Sequence, residues 1–193
     1  MKKPTLVISL LLCLFIVATA LSGCNKTPGG QTTTDTNNTT QNPATEQNTF
    51  VTEKISLYFS DNQAMYLVPE SRDIQIQKDT KTETSIAEAI VNELITGPTD
   101  TKLIATIPKE TKLRSLKITD QIAYVDFSEE IRSKHPGGSS GETMTINSIV
   151  NSLTELTGIK KVQILINGVK VDTLVGHADL SQPLSRNESI IKK

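Results

Sequence analysis

The sequence predicts an α+β fold: a single domain in which two helices pack on one face of a mostly antiparallel sheet. Three observations carry this prediction. Several short segments alternate apolar and polar residues, two longer segments repeat apolar residues at helical spacing, and turn-forming residues separate neighbouring strands closely enough for hairpins. The predicted order is β-β-β-α-β-β-α-β-β, and it contains no series of βαβ units long enough for a doubly wound nucleotide-binding fold.

The first strands follow from period-two alternation. Residues 55–59 alternate as a half-buried strand does, the polar triplet at residues 61–63 predicts a turn, and residues 65–68 predict the return strand. Pro69 is expected to end that return strand, because proline cannot donate a ladder hydrogen bond. The apolar pair within residues 74–76 then predicts a separate third strand.

The first helix is predicted where the apolar period lengthens. Apolar residues recur four positions apart across residues 86–94, so one face of a helix is apolar. Thr82 or Thr84 can cap its start. Gly97-Pro98 is a typical stop signal. A short turn is expected at residues 103–104.

A hairpin and a loop follow. Residues 113–118 and 122–127 predict two paired strands, with Ala123, Val125 and Phe127 on one face of the second. Residues 135–142, HPGGSSGE, predict a flexible loop, because they combine glycine and serine with one proline.

The last elements are a helix and a second tight hairpin. An apolar stripe within residues 146–156 predicts the second helix, which Gly158 is expected to close. Residues 162–166 alternate as a strand, and Asn167-Gly168 is a strong two-residue hairpin turn. Residues 169–171 begin the return strand.

The N-terminal segment is predicted to be a targeting signal rather than part of the folded domain. Lys2 and Lys3 precede an uncharged apolar run at residues 6–21, as in a secretory signal peptide. The sequence Leu-Ser-Gly before Cys24 resembles the bacterial lipobox. This resemblance implies cleavage after residue 23 and lipid on Cys24. An uncleaved membrane anchor is the alternative, although the run is short for a spanning helix.

The expected mature chain has a polar N-terminal linker and one globular domain. Residues 24–54 combine the lipidated end with a Thr-, Asn- and Gln-rich linker that is expected to be disordered, residues 55–185 form the domain, and residues 186–193 form a tail. Loss of two lysines with residues 1–23 changes the net charge from −1 to −3, which excludes a binder of nucleic acid driven by electrostatics. No free thiol remains for catalysis or a disulfide.

Five stretches, taken together and in order, resemble the GerMN domain family of sporulation and spore germination lipoproteins. They are LITGPT at 94–99, the segment 107–113 with its Ile-Pro pair, AYVDFS at 123–128, IVNSLT at 149–154 and VQILING at 162–168. The resemblance implies a membrane-anchored, non-catalytic role, in sporulation for members from spore-forming bacteria. It also implies likeness to ring-building modules that self-associate or join large envelope assemblies. GerM itself carries two tandem copies, whereas this chain has room for one.

The catalytic alternatives begin with the two histidines, His135 and His177. His177 lies near Asp179 and Ser181, but no Gly-x-Ser-x-Gly elbow accompanies them, so an ordinary surface or hydrogen-bonded histidine is expected. A hydrolase triad is defined by geometry and not by nearness in sequence.

Acidic and glycine-rich segments receive similar interpretations. Asp126, Glu129 and Glu130 could mimic a glycosidase pair, but their polar surroundings favour a solvated strand end or a helix cap. Residues 137–141 could cradle an anion, but they lack the Walker lysine and the Rossmann spacing, so a connector is expected. We expect no metal site, no cofactor and no enzymatic activity.

The resulting expectation is a lipid-anchored protein on the extracytoplasmic face of the cell membrane. Its partners would be envelope or sporulation proteins or copies of itself, with no nucleic acid and no small-molecule substrate. The loop 136–141 and the edge strands within residues 55–76 are interface candidates, because loops and unpaired edges are available for contact. A protein that binds or hydrolyses cell-wall peptidoglycan is the alternative, and a germination-linked ligand receptor is a third hypothesis.

Overall fold

A computed structural model describes residues 49–193, and this part of the chain contains both helices and strands. The strands are β1 (Phe50–Ser60), β2 (Leu67–Gln77), β3 (Leu113–Thr119), β4 (Ile122–Phe127), β5 (Lys161–Ile166), β6 (Val169–Lys170) and β7 (Leu184–Ser185). The α-helices are α1 (Glu83–Thr96), α2 (Glu130–Ser133) and α3 (Ser139–Leu153), and short 3₁₀ turns span Lys78–Thr80 and Glu188–Ile190. The predicted signal peptide, the lipidated Cys24 and most of the predicted linker lie outside the described residues. No helix within residues 49–193 is long and apolar enough to cross a bilayer.

The strands form two sheets rather than the single sheet expected. β1 and β2 pair with each other, while a second sheet has the order β3-β4-β5-β6 with β7 also beside β5. The pairing is antiparallel everywhere except between β4 and β5, which are parallel and joined by a crossover through α3. The α+β class and the mostly antiparallel pairing are therefore confirmed.

The second strand differs most from its prediction. β2 runs unbroken from Leu67 to Gln77, so Pro69 does not end it and no separate third strand exists at residues 74–76. Pro69 lies opposite Tyr58. The Tyr58 N–H turns away from β2, toward α3, which makes this a non-hydrogen-bonded pair. The missing proline N–H therefore faces outward and costs the ladder nothing.

Helix α1 begins and ends where its local signals predict. Thr82 is the N-cap, and its hydroxyl accepts the Ser85 N–H at 3.1 Å while the Ser85 hydroxyl accepts the Thr82 N–H at 2.9 Å. Gly97 follows the helix with a φ of 94°, a conformation that favours glycine.

Helix α3 is shifted relative to its prediction. It begins at Ser139, so half of the segment 135–142, predicted as a flexible loop, is helical. The helix ends at Leu153, five residues before Gly158. Gly158 instead donates its N–H to the Glu83 carboxylate at 2.8 Å, and this bond joins the segment after α3 to the start of α1.

The main core lies where α1 and α3 meet both sheets. The two helices contact each other, β1 and the five-stranded sheet. The core side chains are large, apolar and fully buried; they include Leu57, Phe59, Ile90, Leu94, Phe127, Ile149 and Leu153. Burial of several such side chains, each contributing roughly 1.5–3 kcal/mol, is what holds the two sheets on the helical layer.

Secondary structure extends beyond residues 55–185 at both ends. β1 begins at Phe50, and at the C-terminus the Lys192 N–H donates to the Leu67 carbonyl at 2.8 Å. Ile191 also forms a parallel bridge with Leu67. Ile191 and Lys192, within the predicted tail, are therefore packed on the edge of β2.

Candidate interaction surface

The turn between β1 and β2 exposes two large apolar side chains. The Asp61 carboxylate accepts the Met65 N–H at 2.9 Å and the Tyr66 N–H at 3.3 Å, and these bonds fix the turn. The bond from Met65 contributes most to holding the pKa of Asp61 below its ordinary value. Met65 is 56% exposed and Tyr66 42% exposed. The sequence places Met65 in a strand, but the structure places it in this turn.

Ile104 lies beside the turn and is 51% exposed. Its backbone forms an antiparallel bridge with Ser60, the last residue of β1, through two hydrogen bonds of 3.2 and 2.9 Å. Because these two bonds hold the Ile104 backbone against β1, the Ile104 side chain is held at the surface. Ile104, Met65 and Tyr66 are three of the five large hydrophobic residues that are exposed within residues 49–193.

A cavity of about 200 Å³ opens beside Ile104. Its apolar wall consists of Ala64, Ile104, Ala105, Pro136 and Met144, and its polar wall of Ser60, Thr106, His135, Gly141 and Thr145. Met144 belongs to a small second core with Tyr58 and Leu67, which lies beneath the turn. We refer to Met65, Tyr66, Ile104, Met144 and this cavity together as the distal surface.

His135 closes one side of the cavity in a defined hydrogen-bonding pattern. Its Nδ1 accepts the Gly137 N–H at 2.9 Å, and its Nε2 lies 2.9 Å from the Thr145 hydroxyl. That hydroxyl donates to the Thr106 carbonyl at 2.5 Å, so the pattern fits a neutral ring protonated at Nε2. Burial lowers the pKa of His135, while the carboxylate of Glu142 opposes the shift.

Hydroxyl groups of α3 fasten this helix to the edge of β1. Ser152 accepts the Tyr58 N–H at 3.0 Å, and Ser148 donates to the Tyr58 carbonyl at 2.5 Å. Thr106 donates to Ser148 at 2.8 Å. The edge of β1, predicted to be open, is therefore covered by α3 at Tyr58. Among the described residues, β2 pairs with no strand other than β1 along residues 71–77, so its outer edge is unpaired there.

The C-terminal segment is held by Arg186. Its guanidinium donates to the Tyr58 hydroxyl at 2.7 Å and to the Asn151 carbonyl at 2.8 Å, and it pairs with Glu155 at 2.8 Å. It also lies 5.1 Å from the centre of the Tyr58 ring, within cation–π range. The Asn151 side chain, part of one of the motifs quoted above, donates to the Asn187 carbonyl at 3.0 Å and accepts the Asn187 N–H at 2.9 Å, so this motif residue has a structural role.

The acidic residues at the end of β4 make structural contacts. Asp126, expected to be solvated, is buried and accepts the Gly168 N–H at 2.7 Å and the Arg114 Nε–H at 3.1 Å. It therefore holds the turn between β5 and β6. Glu129 precedes α2 at the N-cap position and Glu130 is the first residue of the helix, but the Glu129 side chain makes no capping hydrogen bond. It accepts the Asn167 side-chain N–H at 3.2 Å instead.

His177, Asp179 and Ser181 do not assemble a triad. His177 is exposed, and its backbone N–H donates to the Glu142 carboxylate at 2.8 Å. The Asp179 carboxylate accepts the Ser181 N–H at 2.8 Å as part of a local turn. Among the described residues, the His177 side chain forms no hydrogen bond with Asp179 or Ser181, whereas the Ser181 hydroxyl and N–H both lower the pKa of Asp179 by hydrogen bonding to its carboxylate.

Glu142 is a buried carboxylate that the sequence analysis missed. Its side chain is fully enclosed and accepts N–H groups from Leu174, Val175 and His177 at 2.8–2.9 Å. Burial by itself raises the pKa of this carboxyl, but these backbone donors outweigh it and hold the pKa below its ordinary value. A glutamate that follows glycine and serine residues is expected to be solvated, so the sequence around Glu142 did not indicate a buried carboxylate.

The glycine-rich segment 137–141 contains the start of α3, with Gly138 as its N-cap residue. It lies next to the cavity through Gly141 and next to His135 through Gly137. No group of three or more His, Cys, Asp or Glu side chains in residues 49–193 is arranged to hold a metal ion.

Comparison with known proteins places this fold in a family. The family model for sporulation and spore germination, Germane, matches residues 56–172, more than half of the chain. A solved structure of a proposed lipoprotein from Clostridium perfringens is 29% identical, with a TM-score of 0.50, over 69% of this chain and 87% of that one. No curated protein sequence matches the chain.

Two solved structures from Bacillus subtilis extend the likeness. The first GerMN domain of the sporulation protein GerM is 26% identical, with a TM-score of 0.57, over 69% of this chain and 98% of that domain. The tandem GerMN domains of GerM give the same identity and TM-score over 73% of this chain, which spans 48% of their length, about half. The GerMN resemblance is thus confirmed, and this chain belongs to the Germane family of sporulation and spore germination domains.

Proposed function

We propose that this chain is a lipoprotein of the cell membrane, anchored through Cys24 on the extracytoplasmic face, and that its GerMN-like domain binds other proteins without catalysing a reaction. Those partners are proteins of sporulation, of germination or of envelope organisation, or further copies of the chain. The proposal draws on the family, on the lipobox-like sequence before Cys24 and on the similar Clostridium protein described as a lipoprotein.

The distal surface is the observation that carries the binding role. Apolar side chains at Met65 and Ile104 are exposed on backbone that hydrogen bonds hold in place. Exposed apolar clusters of this kind are typical of contact sites between proteins. The candidate catalytic carboxylates, in contrast, make structural contacts: Asp126 accepts the Gly168 N–H and Asp179 accepts the Ser181 N–H. The backbone N–H of His177 donates to Glu142, and its side chain forms no hydrogen bond with Asp179.

The anchor is tested by fractionating cells that express the Cys24→Ala variant. We expect the parent protein in the membrane fraction and the variant outside it, because two or more acyl chains are needed for stable attachment to a bilayer. Cys13→Ala is the matched control, since Cys13 lies within the apolar run of the predicted signal and is expected to leave with it. Unchanged membrane association of Cys24→Ala would contradict the anchor.

The non-catalytic role is tested with purified peptidoglycan. We expect the full chain to release no soluble fragments, and Glu129→Gln and His177→Ala to behave as the parent does. Release that depends on either side chain would replace the binding role with the cell-wall hydrolase alternative.

A further inference from the structure

We propose that Asn167 is a site of spontaneous covalent modification, and that the carboxylates of Asp126 and Glu129 hold the reaction back in the folded chain. The modification is loss of the Asn167 side-chain amide through attack by the backbone nitrogen of Gly168. This inference concerns the chemical lifetime of the domain and goes beyond the proposed function, on which it does not depend.

The sequence offers this reaction one preferred place. Asparagine is among the chemically labile residues, and Asn167-Gly168 is the only Asn-Gly pair in the chain. Glycine after asparagine favours the attack, because no Cβ obstructs the backbone nitrogen. Both residues are exposed, and a Cβ built at Gly168 would meet no atom within 4 Å. Water and rearrangement of the turn are therefore not obstructed by neighbouring side chains.

The reaction has two steps, and water is its one co-reactant. In the first step, the Gly168 nitrogen forms a bond to the Asn167 Cγ and gives its proton to water. The bond between Cγ and Nδ2 breaks, and the amide nitrogen takes up a proton and leaves as ammonia. In the second step, water adds to either carbonyl of the resulting succinimide ring and opens it to aspartate or isoaspartate.

In the folded chain, a different carboxylate holds each of the two reacting groups. The Gly168 N–H donates to Asp126 Oδ1 at 2.7 Å, and the Asn167 Nδ2 donates to Glu129 Oε2 at 3.2 Å. The attack needs the nitrogen to lose its proton and approach Cγ, so both hydrogen bonds must first be broken. A carboxylate beside the nitrogen also disfavours the negative charge that develops on it as the proton leaves.

Asp126 should provide most of this protection. It is only 6% exposed, and its second oxygen accepts the Arg114 Nε–H at 3.1 Å, so its position is fixed. Its 2.7 Å bond to the Gly168 N–H is at the short end of the range for N–H donors. Glu129 is exposed, and water competes for its longer bond to Asn167.

Conversion of Asn167 damages the turn permanently. Asn167 and Gly168 have φ values of 52° and 79°, which a two-residue hairpin turn requires. Isoaspartate adds a methylene group to the backbone and cannot keep this turn, while aspartate places a third carboxylate beside Asp126 and Glu129. Because β6 pairs with β5 directly at the turn, the hairpin loses its pairing with either product.

The first test follows the modification by mass spectrometry. The purified full chain is incubated at mildly alkaline pH and digested with trypsin, which releases residues 162–170 as one peptide between Lys161 and Val171. We expect conversion of Asn167 to be at least about tenfold slower in the folded chain than in guanidinium chloride. Asp126→Asn should remove most of this difference, and Glu129→Ala should raise the folded-state rate about threefold.

Glu142→Gln is the matched control for loss of stability. It also replaces a buried carboxylate by its amide, but its contacts are with the loop after β6 and not with the turn. Melting temperatures of all variants are measured, and rates are compared well below unfolding. We expect the parent rate at Asn167 in Glu142→Gln. Asn147, which precedes Ser148 within helix α3, is an internal control that should not respond to Asp126→Asn.

The second test needs no substitution, so it applies even where Asp126→Asn does not fold. Exchange of the Gly168 N–H with deuterium also requires the bond to Asp126 to open. NMR measures this exchange in the folded parent and in the unfolded chain. We expect folding to slow the conversion of Asn167 at least as much as it slows the exchange, because conversion needs the further approach to Cγ.

Several results would overturn the proposal. The protection is absent if Asn167 converts as fast in the folded parent as in guanidinium chloride, or if the Gly168 N–H exchanges as fast in both. The role of Asp126 is wrong if a folded Asp126→Asn variant keeps the parent rate, or if Glu142→Gln raises the rate equally. An unfolded chain that converts at Asn147 before Asn167 would remove the site itself.

Discussion

The turn at residues 61–66 and the loop at residues 171–183 are both irregular, and a carboxylate organises each of them. In the turn, Asp61 accepts N–H groups from residues four and five positions later, and the result is a surface of exposed apolar side chains. In the loop, Glu142 reaches from helix α3 to N–H groups more than 30 residues away and is itself fully buried. Hydrogen bonds from backbone N–H groups to a carboxylate therefore stabilise an exposed turn in one region and a buried tertiary contact in the other.

The difference teaches where stability and contact reside in this domain. The loop also receives two hydrogen bonds from Arg132, to the carbonyls of Thr173 and Leu174, and Leu174 is part of the main core. In the turn, Ala64 packs against the small second core, whereas Met65 is exposed to solvent. Substitutions in the two regions should consequently separate stability from binding.

Glu142→Ala should have the largest effect, a loss of about 3–5 kcal/mol in the free energy of unfolding. The substitution leaves three backbone N–H groups without their acceptor at a buried position. Thermal unfolding followed by circular dichroism should show a melting temperature lower by about 10 °C or more. Glu142→Gln, which keeps one acceptor oxygen, should lose less. A melting temperature within 2 °C of the parent would mean that the loop does not depend on this carboxylate.

Asp61→Ala should cost less, about 0.5–1 kcal/mol, because its bonds are local and solvent reaches the turn. Chemical denaturation with urea measures the difference between the two carboxylates directly. A loss as large as that of Glu142→Ala would contradict the contrast between a local and a tertiary role.

His135 should make stability depend on pH near neutrality. Burial lowers its pKa in the folded chain below the ordinary value of 6.5, so between these two values the unfolded chain binds a proton that the folded chain does not. The contribution of His135 is therefore complete above pH 6.5 and is lost as the pH falls toward the folded-state pKa. Melting temperatures from pH 7.5 to 5 should fall more steeply for the parent than for His135→Gln. Parallel curves would indicate that the ring accepts a proton without disrupting the bond from Gly137.

Met65→Ser should have the smallest effect on stability, within about 0.5 kcal/mol, because its side chain is largely in solvent. Leu67→Ala, two residues later but fully buried, is the matched control and should lose about 2–5 kcal/mol. Calorimetry of the two variants tests whether the distal surface is independent of the core. A large loss for Met65→Ser would show that the exposed side chain supports the fold.

Local signals gave correct predictions where a few neighbouring residues decide the structure. Helix α1 begins after Thr82 and ends before Gly97 as expected, because capping needs only adjacent backbone groups. Asn167 and Gly168 adopt φ values of 52° and 79°, as a tight hairpin turn requires. The buried face of Ala123, Val125 and Phe127 also follows from alternation alone.

The candidate surface was less accessible to this reasoning. The distal surface combines the turn after β1, Ile104 and helix α3, which are far apart in sequence and meet only in the folded chain. Met65 reads as an apolar strand residue, and its exposure depends on the turn bonds to Asp61. Edge strands were predicted as candidates, but the packing of α3 on β1 and of the C-terminus on Leu67 decides which edges remain open.

The amino-acid sequence by itself determined the class of the fold, the caps and tight turns, the periodic faces of helices and strands, and the family motifs. These depend on the conformational preferences of neighbouring residues, which act over a few positions. Only the tertiary structure decided that β2 continues through Pro69, that β4 and β5 are parallel, and that Glu142 and Asp126 are buried. Burial of a charge and pairing of distant strands depend on partners brought close by folding, and linear spacing carries little information about them.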